Sequence, residues 1–372
     1  MKVALVHDYL REYGGAERVL EALHEIWPKA PVYVAYYNPA ALGSQGRALR
    51  GWDIRTSWLQ KIPFANKLIS PLRILAPMIF ESFDLSQYDL VISSCNVYFS
   101  KAVIVKPEAL HISYIHTPPR YLYGYTTSFN YKKHWWTRIG GEIINHFLRI
   151  YDFETSQRPD ILVANSKNVQ ARIKKFYRRD AEVIYPPVEI KKFEIPAKGE
   201  ARQRQGYFLT VGRLVRGKGI DIVIEACGRL GLSLKVVGTG PEKENLESSI
   251  KNKALKNIEF LGQVSDEELA KLYAGAKATI VASEDEDFGI VPVESMAAGT
   301  PVIAPKYGGY LETVIDGKTG ILYEAGELIE AIKKFEKIVF KPADCQNQAE
   351  KFSKERFKKE ILDLVKENVK DA

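Results

Sequence analysis

Cysteine is scarce in this 372-residue chain, and Cys95, Cys227 and Cys345 stand far apart. That spacing excludes a metal-type cysteine pair and fits a reducing cytoplasm. No apolar run approaches the length needed to span a bilayer. The opening Met1-Lys2-Val3-Ala4-Leu5-Val6-His7-Asp8 is interrupted too soon for a signal peptide and reads as a first strand. Neither half carries the full glycine pattern of a dinucleotide-binding fold.

What is present is enough to build large cores. Apolar residues make up 46% of the chain, and the length is long for one core, so two domains are expected. The net charge of +7 is uneven: residues 1–185 hold 24 Lys/Arg against 16 Asp/Glu, and residues 186–372 hold 29 against 30. The basic excess of the first half suits an anionic surface, a membrane or a nucleic acid; plain solubility accounts for it equally well.

The stretch from Glu284 to Pro305 organises the chain. Ala278-Thr279-Ile280-Val281-Ala282-Ser283 reads as a buried strand before it, and Val302-Ile303-Ala304 as another at its end. Between them lie an acidic loop, Gly289 and a helix carrying Glu294. Glu286 and Glu294 are separated by seven residues. Amides from Phe288 to Val291 approach the helix start, where unpaired N–H groups and the helix dipole favour an anion. Amides for a phosphate beside carboxylates for hydroxyls suit a phosphorylated sugar. Acidic residues ahead of a helix also serve simply to complement its dipole.

In the first half, residues 2–7, 31–36, 88–94, 111–116 and 160–166 read as strands. Gly14-Gly15 opens a helix where a strand-loop-helix unit brings amides near a phosphate, or merely makes a tight turn. Residues 52–82 mix Trp52, Trp58, Phe64, Leu68, Ile69 and Phe80 with Arg55, Lys61, Lys67 and Arg73, cut into short helices by Pro63, Pro71 and Pro77. They form either a basic, aromatic-rimmed surface for lipid headgroups or helices packed on a sheet. His116 closes a strand ahead of Thr117-Pro118-Pro119-Arg120-Tyr121, at the end of the sheet where open α/β folds keep ligands. Residues 123–145 are again aromatic and basic, with Lys132, Lys133, His134, Trp135, Trp136 and Arg138. Helices are expected at 142–157 and at 167–176, the latter capped by Ser166.

Residues 189–205, with Pro196 and Gly199, read as a linker. The second half then repeats the opening: strands at 207–212, 232–238 and 258–262 alternate with helices at 218–230, 242–252 and 266–275, the last behind a Ser265-Asp266-Glu267-Glu268 capping box. Alternation through residue 304 calls for a parallel sheet covered on both faces. Residues 326–340 and 353–369 are expected to close the chain as helices. The expected boundaries are 1–188, a linker at 189–205, 206–352, and a final helix at 353–372 that packs back on the first domain.

These residues resemble a family-4 retaining glycosyltransferase of the two-domain GT-B architecture, over nearly the whole chain. The resemblance is carried by Glu286 through Glu294 with the following Ala298-Gly299-Thr300-Pro301, and by Val211-Gly212-Arg213-Leu214 with Lys218-Gly219. More narrowly, Gly14-Gly15-Ala16-Glu17-Arg18 and Tyr114-Ile115-His116-Thr117-Pro118-Pro119-Arg120-Tyr121 resemble bacterial GDP-mannose-dependent mannosyltransferases of polysaccharide assembly. The resemblance implies an α/β fold of two doubly wound Rossmann-like domains facing across a cleft. It implies that Arg213 and Lys218 hold the donor diphosphate and neutralise the leaving group. Glu294 then binds ribose hydroxyls, and Glu286 binds the donor sugar. The amides of Phe288, Gly289 and Ile290 face sugar and phosphate, and Gly262 to Ser265, with Val264, faces the base. Gly15 offers its amide to the diphosphate while Gly14 leaves room. His116 reaches the donor sugar near the reacting carbon, and Arg120 and Tyr121 lie on the acceptor side. Arg216 is an extra basic residue in this loop and a candidate to share the phosphate role of Lys218.

The implied partners are a nucleotide-sugar donor and a lipid-linked saccharide acceptor. No cofactor, metal ion or nucleic acid is expected. The implied location is the cytoplasm, peripheral on the inner face of the plasma membrane. Two other functions fit the same architecture. A nucleotide-sugar epimerase needs acid and base groups on both faces of the sugar, and His116 has no evident second partner. A non-catalytic sugar-nucleotide-binding module needs neither His116 nor Glu286.

Overall fold

A computed structural model of the protein describes residues 1–42, 46, 49–63, 71–127, 135–194, 206–253 and 255–369. The chain forms two compact units. One comprises residues 1–125, 130–187 and 355–372; the other comprises 126–129 and 188–354.

The first unit runs β1 (Val3–His7), α1 (Gly15–Ile26), β2 (Val32–Val34), β3 (Ile54–Thr56), α2 (Ala76–Glu81), β4 (Leu90–Cys95), β5 (Leu110–Ile115), α3 (Trp135–Ser156), β6 (Ile161–Ala164), α4 (Lys167–Tyr177) and β7 (Glu182–Val183). Its seven strands lie in the order β3-β2-β1-β4-β5-β6-β7, all parallel. Alternate strand residues supply both faces. Leu5, Val32, Leu90 and Ile112 enter one cluster with Val19, Leu20 and Leu23 of α1. Ala4, Val6 and Val91 enter the other with Ile79 and Phe80 of α2. Ser166 is the N-cap of α4, its hydroxyl accepting from the Val169 N–H at 3.1 Å. Helix α3 turns Leu148 inward and leaves Ile143, Ile144, Phe147 and Ile150 exposed.

Two buried carboxylates brace this unit. Asp8, just past β1, accepts four backbone N–H groups at 2.6–2.9 Å, from Asn96, Val97, Tyr98 and Ser100. Asp152 on α3 pairs with Lys101, both side chains being fully buried. It also accepts the hydroxyls of Tyr123 at 2.7 Å and Tyr177 at 3.2 Å.

The second unit runs β8 (Phe208–Val211), α5 (Ile220–Arg229), β9 (Leu234–Val237), α6 (Lys243–Asn252), β10 (Ile258–Gly262), α7 (Asp266–Gly275), β11 (Thr279–Ile280), α8 (Ile290–Ala297), β12 (Val302–Pro305), α9 (Tyr310–Thr313), β13 (Gly320–Tyr323), α10 (Leu328–Phe335) and α11 (Pro342–Glu350). Six parallel strands lie in the order β10-β9-β8-β11-β12-β13. A last helix, α12 (Lys354–Asn368), returns to the first unit. There Phe357, Ile361 and Val365 join the cluster of Leu5 and Ile112.

The structure corrects several expected elements. Residues 54–56, inside the stretch read as short helices, form strand β3. The strand expected at 278–283 keeps only Thr279–Ile280 in the ladder. Val281 retains one bond to Ile303, and the Glu284 N–H then turns to the Gly217 carbonyl at 2.8 Å. The single helix expected at 326–340 stops at Phe335. Lys341 is extended and Pro342 opens α11, because proline disfavours a helical residue before it and suits a first helical turn. Strand β13 continues the alternation beyond residue 304. Of the capping box at Ser265, the hydroxyl arm is in place, accepting from the Glu268 N–H at 3.2 Å. Phe64, Lys67, Leu68, Ile69, Lys132, Lys133, His134 and residues 195–205 of the expected linker lie outside the described residues, as do the side chains of Trp135, Trp136 and Arg138.

Candidate active site

Both sheets reverse strand order beside their first strand, β1 against β4 in one unit and β8 against β11 in the other. At such a switch point neighbouring loops diverge, leaving a crevice past the carboxyl ends of the strands. Gly14 lies on the loop after β1, Arg213 and Lys218 on the loop after β8, and Glu286, Phe288 and Gly289 on the loop after β11; His116, Arg120 and Tyr121 follow β5, and Gly262 and Val264 lie at the end of β10 and just past it.

In the second unit the crevice lies between the loop 212–219 after β8 and the loop 281–289 after β11. Lys218 Nζ donates to Glu286 Oε2 at 2.9 Å, joining the two loops. Gly219 makes the approach possible. Its φ is +65°, and a Cβ there would sit 2.1 Å from the Ala282 carbonyl oxygen. Asp285, immediately before Glu286, has a φ of +52°, which a residue with a side chain adopts at a cost. Gly289, with a φ of +96°, is the N-cap of α8, so Ile290 is that helix's first residue. The Phe288 side chain is buried edge-on against Phe352. Glu294 sits on α8, only 3% exposed. Its Oε2 accepts the Tyr273 hydroxyl at 3.0 Å. Arg213 and Arg216 are exposed on the first loop. Gly262 ends β10 with a φ of +69°, and Val264 follows it, partly buried, ahead of α7.

In the first unit, Gly14 is the N-cap of α1 and Gly15 its first residue. The Gly14 N–H donates to Glu17 Oε2 at 2.8 Å. The other carboxylate oxygen, Oε1, lies 3.5 Å from His7 Nε2. Parallel register places His7 beside Ser94 across β1 and β4. The Ser94 hydroxyl lies 3.1 Å from His7 Nδ1 and 2.8 Å from His116 Nε2. His116 follows β5 directly. Burial, with His7 beside it, pushes its imidazole down to about 3. Four side chains from four separate segments thus form one contiguous polar line from the start of α1 to the end of β5. Arg120 and Tyr121 lie in the turn beyond. The Arg73 guanidinium covers the Tyr121 ring at 4.2 Å, and burial raises that phenol's pKa.

The structure brings Lys218, Glu286 and the start of α8 together in one unit, and Gly14, Gly15 and His116 together in the other. Sequence reading missed His7, Ser94, Glu17 and Tyr273. Glu17 and His7 stand inside stretches that were singled out for other residues. No local signal marks Ser94 or Tyr273.

Known proteins resemble both units. Residues 13–192 match the family described as Glycosyltransferase Family 4, and residues 191–355 match Glycosyl transferases group 1. An uncharacterized glycosyltransferase of Methanocaldococcus jannaschii is 34% identical over 165 residues, covering 44% of this chain and 45% of its own. A D-inositol 3-phosphate glycosyltransferase of Nocardioides is 29% identical over 245 residues, covering 56% and 53%. The chain thus spans about half the length of the curated relatives it matches. Among solved structures, Anabaena HepE in complex with UDP superposes with a TM-score of 0.72 at 19% identity, over 99% of this chain and 100% of that one. Sucrose-phosphate synthase of Thermosynechococcus elongatus gives 0.74 at 20% identity, over 99% of both. The two parallel-sheet α/β domains have the GT-B fold.

Proposed function

From a Glycosyltransferase Family 4 domain followed by a Glycosyl transferases group 1 domain on a GT-B fold, we propose that this protein is a retaining glycosyltransferase. It moves a sugar from a nucleoside diphosphate donor to a lipid-linked saccharide in cell-surface polysaccharide assembly. The observation that carries the reading is the Lys218–Glu286 pair at the switch point of the second unit, next to the start of α8. What supports it is a cation suited to phosphate and a carboxylate suited to sugar hydroxyls within hydrogen-bond distance of each other. In this reading Lys218 and Arg213 stabilise the leaving diphosphate, with Arg216 as a further cation on the same loop. Glu286 orients the sugar, and Glu294, fixed by Tyr273, takes the ribose. The amides at Phe288, Gly289 and Ile290 meet the phosphate and sugar, and Gly262 and Val264 border the base. In the first unit Gly14 and Gly15 approach the diphosphate, His116 meets the donor sugar, and Arg120 and Tyr121 receive the acceptor.

The favoured donor is GDP-mannose, on the resemblance at residues 14–18 and 114–121. UDP-glucose is the alternative, since HepE has been solved with it. No metal ion takes part in this reading. The first unit meets an anionic bilayer from the cytoplasmic side. Support comes from the exposed Ile143, Ile144, Phe147 and Ile150 on α3, together with the basic excess of residues 1–185. No helix among the described residues is long and apolar enough to cross a membrane.

The test is a thermal-shift screen with GDP, UDP, ADP and their sugars, followed by turnover with lipid-linked acceptors. Acceptor-dependent release of one nucleoside diphosphate is the expected result. Conversion of the donor sugar without acceptor would identify an epimerase. Saturable binding without turnover across the acceptor panel would identify a binding module.

A further inference from the structure

The line Glu17–His7–Ser94–His116 determines where hydrogens sit. Ser94 is fully buried, and its Oγ touches the ring nitrogens of His7 and His116. A hydroxyl has one hydrogen to give. If both imidazoles donated to Ser94, its own hydrogen would point into the core without an acceptor, an arrangement that costs a full desolvation penalty. Ser94 therefore donates to one ring and accepts from the other.

Glu17 breaks the tie. Its Oε1 faces His7 Nε2 at 3.5 Å, and Oε2 is already engaged by the Gly14 N–H. A carboxylate facing a bare ring nitrogen is repulsive, so the hydrogen of a neutral His7 lies on Nε2. His7 Nδ1 is then an acceptor and takes the Ser94 hydrogen. Ser94 in turn accepts, and the donor it accepts from is His116 Nε2–H. The remaining nitrogen, His116 Nδ1, carries a lone pair and no hydrogen. It makes no hydrogen bond among the described residues, and His116 is 8% exposed just beyond the end of β5.

We propose that Glu17, His7 and Ser94 are positioning residues that hold His116 as its Nε2–H tautomer, presenting a bare Nδ1 as hydrogen-bond acceptor for a hydroxyl of the bound sugar. This inference rests on the transferase reading only for the identity of that hydroxyl. The relay also joins the Gly14 amide to His116, so the start of α1 and the end of β5 are oriented by one set of hydrogens.

The experiment is ring-nitrogen NMR on full-length protein labelled with 15N-histidine, at pH 8, above the ordinary imidazole range. His116 is assigned by comparison with His116→Gln. The expected spectrum shows His116 Nδ1 unprotonated and Nε2 bearing hydrogen. In Ser94→Ala the fixed tautomer gives way to a mixture of both, while circular dichroism stays native. In Glu17→Gln the same loss of bias appears with Ser94 intact. A wild-type His116 with its hydrogen on Nδ1, or a tautomer that Ser94→Ala leaves unchanged, overturns the inference. The readout needs no donor or acceptor. An inactive protein with a bare Nδ1 defeats the transferase reading alone. An active transferase with Nδ1–H defeats this inference alone. With an active protein, Ser94→Ala lowers donor kcat/KM about tenfold, the scale of one hydrogen bond.

Discussion

Replacing Lys218 by methionine separates two accounts of its contact with Glu286. If the pair is structural glue, its loss unfolds the second unit. If it holds a cation ready for the donor, its loss disables chemistry and leaves the fold alone. The geometry favours the second account. At 2.9 Å, two opposite charges gain about 1.4 kcal/mol in a water-like dielectric. The side chains are 32% and 19% exposed, and the lysine must be ordered to make the contact, so the net contribution is about 0–1 kcal/mol. For a unit of this size that corresponds to a fall in Tm of less than about 4 °C. Removing a cation that stabilises a departing diphosphate costs far more, about 2.7–4 kcal/mol, or 10²–10³ in turnover. The assays are thermal unfolding and donor kcat/KM with GDP-mannose and UDP-glucose. A Tm lowered by more than about 8 °C with kcat/KM within threefold of wild type would refute the reasoning.

Four further outcomes are expected. Lys101→Met leaves the buried Asp152 carboxyl with two phenol donors among the described residues, and costs about 3–5 kcal/mol in urea unfolding; adding Asp152→Leu recovers most of that loss. Burial pushes both His111 and His116 down to about 3. The unfolded chain binds those protons near pH 6.5 and the folded chain only near 3, so their contribution is complete above 6.5 and is lost as pH falls toward 3. The slope reaches about 2.7 kcal/mol per pH unit for the two together; Tm measured between pH 7.5 and 5 checks it, and the double replacement by asparagine flattens the curve. Phe147→Asp with Ile150→Asp abolishes flotation with vesicles containing anionic lipid while Tm stays within about 2 °C, since both side chains are exposed. Turnover is unchanged by EDTA; a loss restored by a divalent cation would place a metal in the reaction.

The parallel sheets were legible because buried strands leave unbroken apolar runs, as at residues 3–6 and 302–304. The placement of Glu286 on a loop and Glu294 on the helix after it was legible because Gly289 separates an acidic run from an apolar one. The polar line through the first unit was not. His7 and Ser94 are 87 residues apart and meet only through the register of β1 with β4. Tyr273 reaches Glu294 from a neighbouring helix, where a tyrosine on an apolar face reads as core. Strand β3 was hidden because three residues carry too little periodicity to stand out beside Trp52 and Trp58. Helix α11 did leave a sign, Pro342 at its first position, but Lys, Ala, Asp and Gln around it offer little apolar periodicity.

Helix α12 ties the first unit to a distant part of the chain. Residues 1–187 supply every strand of that sheet, yet Phe357, Ile361 and Val365 complete one of its two apolar layers. During synthesis at about 5–20 residues per second, roughly ten to thirty seconds separate the emergence of residue 187 from that of residue 355. Through that interval α1 covers only part of that apolar side, and the rest stays open, a natural target for ribosome-associated holdases, while residues 188–354 emerge and fold.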